Sequence, residues 1–132
     1  SENRKIVFET QFVNVAEVIQ EGVTDYPDIA VMNLIKVKLG KYKAYEDIEK
    51  ATTKTITKGS PRKGWSLGKR IDRIGTDITW THFTVDRFDK YSDFLKLSAR
   101  PSSNADKNYQ NMMKLRNLTN RIVLEKFIFV NK

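Results

Sequence analysis

The chain has 132 residues, 39% hydrophobic and 30% charged, a composition that predicts one globular domain and argues against a disordered chain. It has no cysteine and a single histidine, so disulfides, cysteine nucleophiles and multi-histidine metal sites within one chain are excluded. The net charge is +8, no apolar run approaches the ~20 residues that span a bilayer, and no signal-peptide pattern is present.

The N-terminal residues predict a strand followed by a short helix. Residues 4–12 alternate apolar and polar side chains, which is the pattern of a half-buried strand. Asn14 stands three residues before Glu17, the spacing of a capping box, and apolar residues follow at helical spacing. We therefore expect a helix over about 14–21 that ends at Gly22.

The next segment predicts a turn, a strand and a long loop. Residues 24–28 fit a turn, and the β-branched side chains of 29–39 favour a strand, although a helix ended by a glycine also fits. Lysines alternate with other residues through 41–45, which extends the strand pattern, and 46–53 fit a helical turn. The stretch 54–70 is rich in Gly, Ser, Pro and Lys and predicts an exposed loop or the tip of a long hairpin.

The C-terminal half predicts a strand, two helices and a last strand. Residues 76–85 alternate in the manner of a strand, and 121–130 do so again at the end. Asp86 is placed to cap the first helix, and Ser103 or Asn104 the second. The first helix is expected to carry Phe88, Tyr91, Phe94 and Leu95. The second is expected to carry Tyr109, Met112, Met113, Arg116 and Leu118.

This order of elements predicts a single α+β domain over residues 1–132. Its sheet is expected to be mainly antiparallel, with two or three helices packed on one face and a long basic loop or hairpin near 54–70. The last strand must pair with a strand distant in sequence or with a second subunit.

The positive charge is concentrated in one part of the sequence. Residues 36–70 contain eleven bases and three acids, so this segment alone accounts for the charge of +8, and the remaining residues hold 13 of each sign. A field of one sign is typical of a docking surface for a polyanion; a solvated lysine-rich face is the alternative. The segment supplies the predicted nucleic-acid-binding residues: Lys36, Lys38, Lys41, Lys43, Lys54, Lys58, Arg62, Lys63, Trp65, Lys69 and Arg70.

Two parts of this segment suit nucleic acid in different ways. In 58–65, the bases would neutralise phosphates and an exposed Trp65 would stack on a nucleobase; the alternative is that Trp65 folds back into the core. If 36–43 form a strand, Lys36 and Lys38 share a face that Tyr42 joins only through a bulge. Such a face resembles the basic, aromatic sheet faces of single-strand and RNA binders. Protection of an edge strand against aggregation explains the same lysines equally well.

His82 is the one side chain whose ordinary pKa lies near neutrality, so it is the first candidate for acid–base chemistry. Together with Asp77 or Asp86 and cations from the loop, it would supply the groups of a metal-independent ribonuclease. A lone histidine in an aromatic strand is more often a packed structural residue, and no other catalytic motif is present.

These patterns favour a non-enzymatic nucleic-acid-binding domain, for DNA or RNA. The first alternative is a structural or assembly protein of a phage or virus that oligomerises and contacts a genome or an acidic partner. The second is a small ribonuclease that uses His82. We expect no cofactor, no metal and no membrane span, and an intracellular location in cytoplasm or nucleus, or in a virion, without secretion.

Overall fold

The computed structural model describes residues 12–71, 79–98 and 107–125, and shows one small α+β domain. Five strands form its sheet: Phe12–Ile19 (β1), Ile29–Val37 (β2), Gly64–Arg70 (β3), His82–Phe88 (β4) and Arg116–Glu125 (β5). Three helices lie within the described residues: Tyr42–Thr52 (α1), Tyr91–Ser98 (α2) and Lys107–Leu115 (α3). Residues 4–11 of the strand predicted over 4–12, the caps at 103 and 104, and residues 126–130 of the strand predicted over 121–130 lie outside the described residues.

The strands lie in the order β1-β3-β4-β2-β5, and every neighbouring pair is antiparallel. The predicted antiparallel sheet is therefore confirmed. β5 pairs with β2 from Val37–Arg116 to Ile29–Glu125, which confirms that the last strand has a partner distant in sequence. The strands of the sheet have two ends. We call the end at which β2 finishes, next to Val37, the lysine end, and the opposite end, at which β1 finishes, the glutamine end.

All three helices pack on the same face of the sheet, which we call the helical face. Two separate apolar clusters lie there. The larger joins α1, α3 and the sheet and contains the buried Ile35, Val37, Tyr45, Trp65, Leu67 and Met112. The smaller joins α2 to the buried Ile29, Val31 and Phe88 through Phe94 and Leu97. The other face carries alternate residues such as Met32, Leu34 and Phe83, and we call it the aromatic face.

The predicted helix over about 14–21 is wrong, because these residues belong to β1. β1 pairs with β3 from Phe12–Arg70 to Ile19–Gly64, and a register shift near its centre turns Val15, Ala16 and Val18 toward the larger apolar cluster. A helix this short is marginal in isolation, so the long-range pairing with β3 determines that these residues form a strand.

The strand predicted over 29–39 is confirmed as β2, but it ends earlier than expected, at Val37. Leu39 is 91% exposed, and Gly40 has a φ of +81°, a left-handed conformation that suits glycine and turns the chain. The alternation through 41–45 therefore does not continue the strand; these residues begin α1 instead. Tyr45 and Glu49 are spaced to share one side of this helix, and both are buried against the sheet.

The predicted exposed loop or hairpin over 54–70 is wrong in its second half. Residues 53–63 have no regular structure, but 64–70 form β3 in the middle of the sheet. Trp65 is 4% exposed and Leu67 fully buried. Pairing on both edges, with β1 and β4, holds this segment in place.

Two boundaries in the C-terminal half also differ from expectation. Within the described part of 76–85, β4 starts only at His82, and Asp86 lies inside this strand instead of capping a helix. Phe88 ends β4 and is fully buried, and α2 starts at Tyr91. α3 ends at Leu115, so the predicted helical residues beyond it belong to β5.

Candidate functional site

The fold divides the predicted basic residues between opposite ends of the sheet. α1 begins at the lysine end and runs along the sheet for 11 residues, roughly 16 Å at 1.5 Å per residue. Lys36, Lys38 and Lys41 precede it and stay at the lysine end. Lys58 and the loop around it follow α1 and lie at the glutamine end, where Gln20 binds three loop carbonyls. The basic segment is therefore not one surface patch.

Several predicted binding residues are occupied by contacts within the protein. Lys43 Nζ lies 2.6 Å from Asp47 Oδ2, and Lys69 Nζ lies 3.4 Å from Glu46 Oε1. At the glutamine end, Arg62 Nε lies 3.2 Å from Asp86 Oδ1, and Lys63 Nζ lies 3.4 Å from the Gln20 side-chain oxygen. The Arg70 guanidinium lies 4.9 Å from the centre of the Trp80 ring. These five bases already have partners within the protein.

Exposed lysines without an ion pair to any described residue remain in both groups. At the lysine end they are Lys36, Lys38 and Lys41; at the other end they are Lys54 and Lys58. Lys114, outside the predicted segment, is also exposed, and its neighbour Leu115 accepts a hydrogen bond from the Lys38 amide at 3.0 Å. The lysine end thus gathers four exposed lysines from two distant parts of the sequence.

Three aromatic rings meet on the aromatic face close to the lysine end. Phe12 and Phe83 contact edge to face with ring centres 5.2 Å apart, and Trp80 lies 6.1 Å from Phe83 in the same manner. Phe12 is 44% exposed, and the other two rings are partly exposed. Strand alternation places Lys36 on this same face, two residues after Leu34.

A groove of about 520 Å³ runs along the aromatic face. Trp80, Phe83, Met32 and Val85 are among the side chains that line it. Farther toward the glutamine end, the Arg87 guanidinium lies 4.3 Å from the centre of the Tyr26 ring. The groove therefore has aromatic walls at both ends, each with an arginine stacked on it.

The structure buries Trp65, the predicted stacking residue, and leaves Trp80 partly exposed. Trp65 faces the larger apolar cluster beneath α1, so its ring is not available to a ligand. The strand predicted over 76–85 would place Trp80 and His82 on the same face. Residues 79–81 are not in a strand, and Trp80 turns to the opposite face to contact Phe83. Alternation alone could not show this, because it holds only within a regular strand.

His82 is fully buried beneath α1. Its Nδ1 lies 2.9 Å from Thr81 Oγ1, and Tyr42 and Tyr45 pack edge-on against the ring at 5.0 and 5.1 Å. Burial lowers the pKa of His82, and the Glu46 carboxylate, with Oε2 3.8 Å from Nε2, opposes that change. A ring enclosed in this way does not contact solvent, so a substrate phosphate would reach it only if α1 moved.

Among the described residues, His82 has neither of its predicted acidic partners beside it. Asp86, one of its two predicted partners, is ion-paired with Arg62, and Asp77 lies outside the described residues. The described part of the chain contains no group of three His, Asp or Glu side chains arranged to hold a metal ion. Among the helices that the structure describes, none is long and apolar enough to cross a membrane.

No protein-family model matches the chain, and no curated protein matches its sequence. A fold by itself does not define an activity, so function has to be derived from the side chains of particular sites.

Proposed function

We propose that the protein binds single-stranded nucleic acid across its aromatic face and does not cleave it. The observation that carries this proposal is the juxtaposition of the rings of Phe12, Trp80 and Phe83 with the exposed lysines of the lysine end. Single-strand binders combine stacking rings with a positive surface that follows the phosphates.

The aromatic face suits unpaired bases. A base stacked on an aromatic side chain contributes about 1–3 kcal/mol, whatever its sequence, because every base has a flat face. Trp80 is partly exposed at this face, and its ring lies beside that of Phe83. Double-stranded nucleic acid keeps its bases stacked inside and would leave these rings without a partner.

The exposed lysines supply the electrostatic part of the proposed binding energy. Lys36 lies on the same face as Phe83, while Lys38, Lys41 and Lys114 extend the positive surface at the lysine end. These ammonium groups have no carboxylate partner among the described residues, so they are available to neutralise phosphates. Each phosphate contact in a single-strand complex steepens the logarithmic salt dependence of binding by about 0.7.

The test is a salt titration with fluorescent oligonucleotides of single-stranded DNA, single-stranded RNA and duplex DNA. Replacing Lys36, Lys38 and Lys41 by Glu should weaken single-strand binding at least about tenfold and lower the salt slope by about 2. Trp80→Ala should weaken binding about tenfold without changing the slope, because stacking involves no ion release. Replacing Lys54, Lys58 and Lys96 by Glu gives the same change in net charge away from the lysine end, and should have a smaller effect.

Three results would contradict the proposal. A failure to bind single-stranded oligonucleotides at low salt would refute it. Equal losses in the two triple variants would show that total charge matters and not the lysine end. Tighter binding to duplex DNA, unaffected by Trp80→Ala, would assign the lysines to a duplex backbone and leave the aromatic face without a role.

A second candidate function is assembly through β5. This strand lies at the edge of the sheet, and Leu118, Ile122, Val123 and Leu124 on it are all substantially exposed. Exposed apolar edge strands pair readily with a further chain. Light scattering tests this candidate: a discrete oligomer that Ile122→Lys and Leu124→Lys dissociate would support it, and a monomer at high concentration would refute it.

A further inference from the structure

The two edge strands of the described sheet differ in how well they resist pairing with another chain. β1 is interrupted near its centre by a register shift between Asn14 and Ala16, and such an irregularity discourages a further strand from pairing along it. β5, at the opposite edge, has its register shift over 118–120, and residues 121–125 are in unbroken register with β2. These five residues include neither a lysine nor a proline, the residue types that often protect an edge. Of the two edges, this part of β5 is therefore the better template for a further strand.

The side chains of 121–125 are apolar in the middle and oppositely charged at the two ends. Arg121 and Glu125 enclose Ile122, Val123 and Leu124, so the stretch has Val123 at its centre and one charge of each sign two residues away. The three apolar side chains are 37–47% exposed. Adjacent exposed apolar side chains with polar groups at their rim are typical of a surface that another chain covers.

This arrangement is complementary to a second copy of itself. Antiparallel pairing of β5 with β5 of a second copy, centred on Val123, would place Arg121 opposite Glu125 of that copy, and Glu125 opposite its Arg121. Arg121 and Glu125 lie opposite Asn33 and Ile29 of β2, so both charged side chains project from the helical face. Directly opposed side chains of an antiparallel pair have Cβ atoms about 4.5–5.5 Å apart, a separation at which opposite charges attract. The interface would thus contain the same ion pair twice.

Neighbouring registers lose this complementarity. Centred on Val123, the pairing also places Ile122 opposite Leu124 of the second copy, apolar against apolar. A centre at Ile122 would place Arg121 opposite Val123, and a centre at Leu124 would place Glu125 opposite Val123. In both cases a charge faces an apolar side chain, so charge complementarity selects Val123 as the centre.

Arg121 is already held on the helical face. Its Nε donates to Asn33 Oδ1 at 2.7 Å, and its guanidinium lies 5.4 Å from the centre of the Phe94 ring. The two terminal amino groups of the guanidinium carry four further N–H donors, so Arg121 can keep this bond and also bind a carboxylate. Glu125 is exposed and forms no ion pair with a described residue. Each of the two side chains therefore has capacity for the contact that the second copy offers.

We propose that two copies of this chain form a dimer by antiparallel pairing of residues 121–125 of β5 about a two-fold axis at Val123, with ion pairs between Arg121 and Glu125 across the interface. The proposal rests on the assembly through β5 that is the second candidate function, and gives it a partner and a register. A two-fold axis that relates two antiparallel strands of one sheet is perpendicular to that sheet, so both aromatic faces lie on the same side of the joined sheet. The dimer is therefore compatible with nucleic-acid binding at the aromatic face.

Single cysteines test the register, because the chain has no cysteine of its own. In the proposed dimer Val123 lies opposite Val123 of the second copy, at a separation that suits a disulfide, whose Cα atoms are usually about 4.4–6.8 Å apart. Val123→Cys should therefore form a covalent dimer under mild oxidation, as measured by non-reducing electrophoresis. Leu118→Cys is the matched control, because Leu118 is equally exposed on the same strand but would lie about 30 Å from Leu118 of the second copy. It should cross-link at least about tenfold more slowly.

Analytical ultracentrifugation of the full chain tests the ion pairs. Glu125→Arg would place two arginines opposite each other at both ends of the interface, and should weaken dimerisation about tenfold. Adding Arg121→Glu to this variant exchanges the two charges, and should restore most of the affinity. Glu21→Arg is the control: Glu21 is exposed just after β1, at the other edge of the sheet, so the same change in net charge should leave dimerisation unaffected.

A dimer that cross-links preferentially through Val123→Cys and is weakened by Glu125→Arg supports the proposal. A chain that stays monomeric at about 1 mM overturns it together with the assembly candidate. Equal cross-linking through Leu118→Cys, no effect of Glu125→Arg, or an open-ended series of oligomers overturns the closed dimer and its register, but leaves association through β5 standing. None of these measurements uses an oligonucleotide, so the proposal for the aromatic face is tested separately.

Discussion

Gly68 on β3 lies directly beneath the ring of Phe83 on β4. A Cβ atom added to Gly68 would come within 2.2 Å of Phe83 Cζ and 2.3 Å of Cε1, far closer than real Cβ atoms approach other carbons. The two residues are paired across the strands, so the missing side chain of Gly68 is what lets the Phe83 ring lie against the sheet. This contact sets the position of the central ring of the aromatic face.

Gly68→Ala should displace the Phe83 ring and lower the free energy of unfolding by about 1 kcal/mol. Overpacking costs about 1–3 kcal/mol, and the lower backbone entropy of alanine offsets part of that. Gly64→Ala is the matched control on the same strand, where the nearest side-chain atom lies at 3.5 Å, an ordinary contact, so stability should hold or rise. Urea unfolding of both variants measures the difference; equal effects would mean that the Phe83 contact imposes no cost.

Gln20→Ala should release the loop over 57–63. The buried Gln20 amide nitrogen lies within 3.1 Å of the carbonyl oxygens of Thr57, Ser60 and Arg62, and no other described side chain binds this set. Losing these bonds should cost about 1–3 kcal/mol in unfolding free energy. Faster trypsin cleavage within the loop, before global unfolding, is the more specific measurement. The exposed Glu21→Ala variant is the control, and a loop cleaved at the same rate in both variants would refute the anchoring role.

Glu49→Gln should stabilise the protein at alkaline pH and not at acidic pH. The folded protein keeps a proton on Glu49 up to about pH 7, whereas the ordinary pKa is 4.5. Stability is therefore lost as pH rises from 4.5 to 7, by roughly 3 kcal/mol in total at 1.36 kcal/mol per unit. The glutamine variant does not titrate, so it should be more stable than the original protein near pH 8 and closest to it near pH 5.

Urea unfolding at several pH values between about 5 and 8 measures this effect. Glu21→Gln, which neutralises an exposed carboxylate, is the control and should show the pH dependence of the original protein. A Glu49→Gln curve parallel to that of the original protein across this range would contradict a buried, protonated Glu49.

His82 should titrate below the ordinary histidine value of 6.5, because burial opposes its charging. The unfolded chain takes up this proton as the pH falls below 6.5, while the folded protein does not. The free energy of unfolding therefore decreases as the pH falls. Nuclear magnetic resonance reads the titration directly, because the chain has a single histidine. A folded-state pKa at or above the value measured in urea would contradict the buried environment.

The parts of the fold that the sequence predicts well are those with an unmistakable local pattern. β2 is buried on one face from Ile29 to Val37, and its alternating β-branched side chains indicate a strand without further information. Likewise, an apolar strand near the C-terminus needs a partner, and no neighbour in sequence is available to supply one. The α+β class and the antiparallel sheet follow from such elements.

The candidate site depends on contacts that no local pattern contains. Residues 41–45 alternate like a strand, yet the turn at Gly40 and the burial of Tyr45 and Glu49 against the sheet make them a helix. Trp65 stands in a glycine- and lysine-rich stretch that looks exposed, yet β3 is paired on both sides and its tryptophan is in the core. In both cases packing at long range outweighs the local preference.

The sequence by itself determined the amount and position of charge: an excess of +8 confined to residues 36–70. Only the tertiary structure decided that this segment is two patches, because α1 carries the chain from one end of the sheet to the other between Lys41 and Lys54. It also brought Lys114 to the lysine end and set Trp80 beside Phe83. Charge is a property of the chain, whereas a surface depends on which elements lie side by side, and strand register and helix direction decide that.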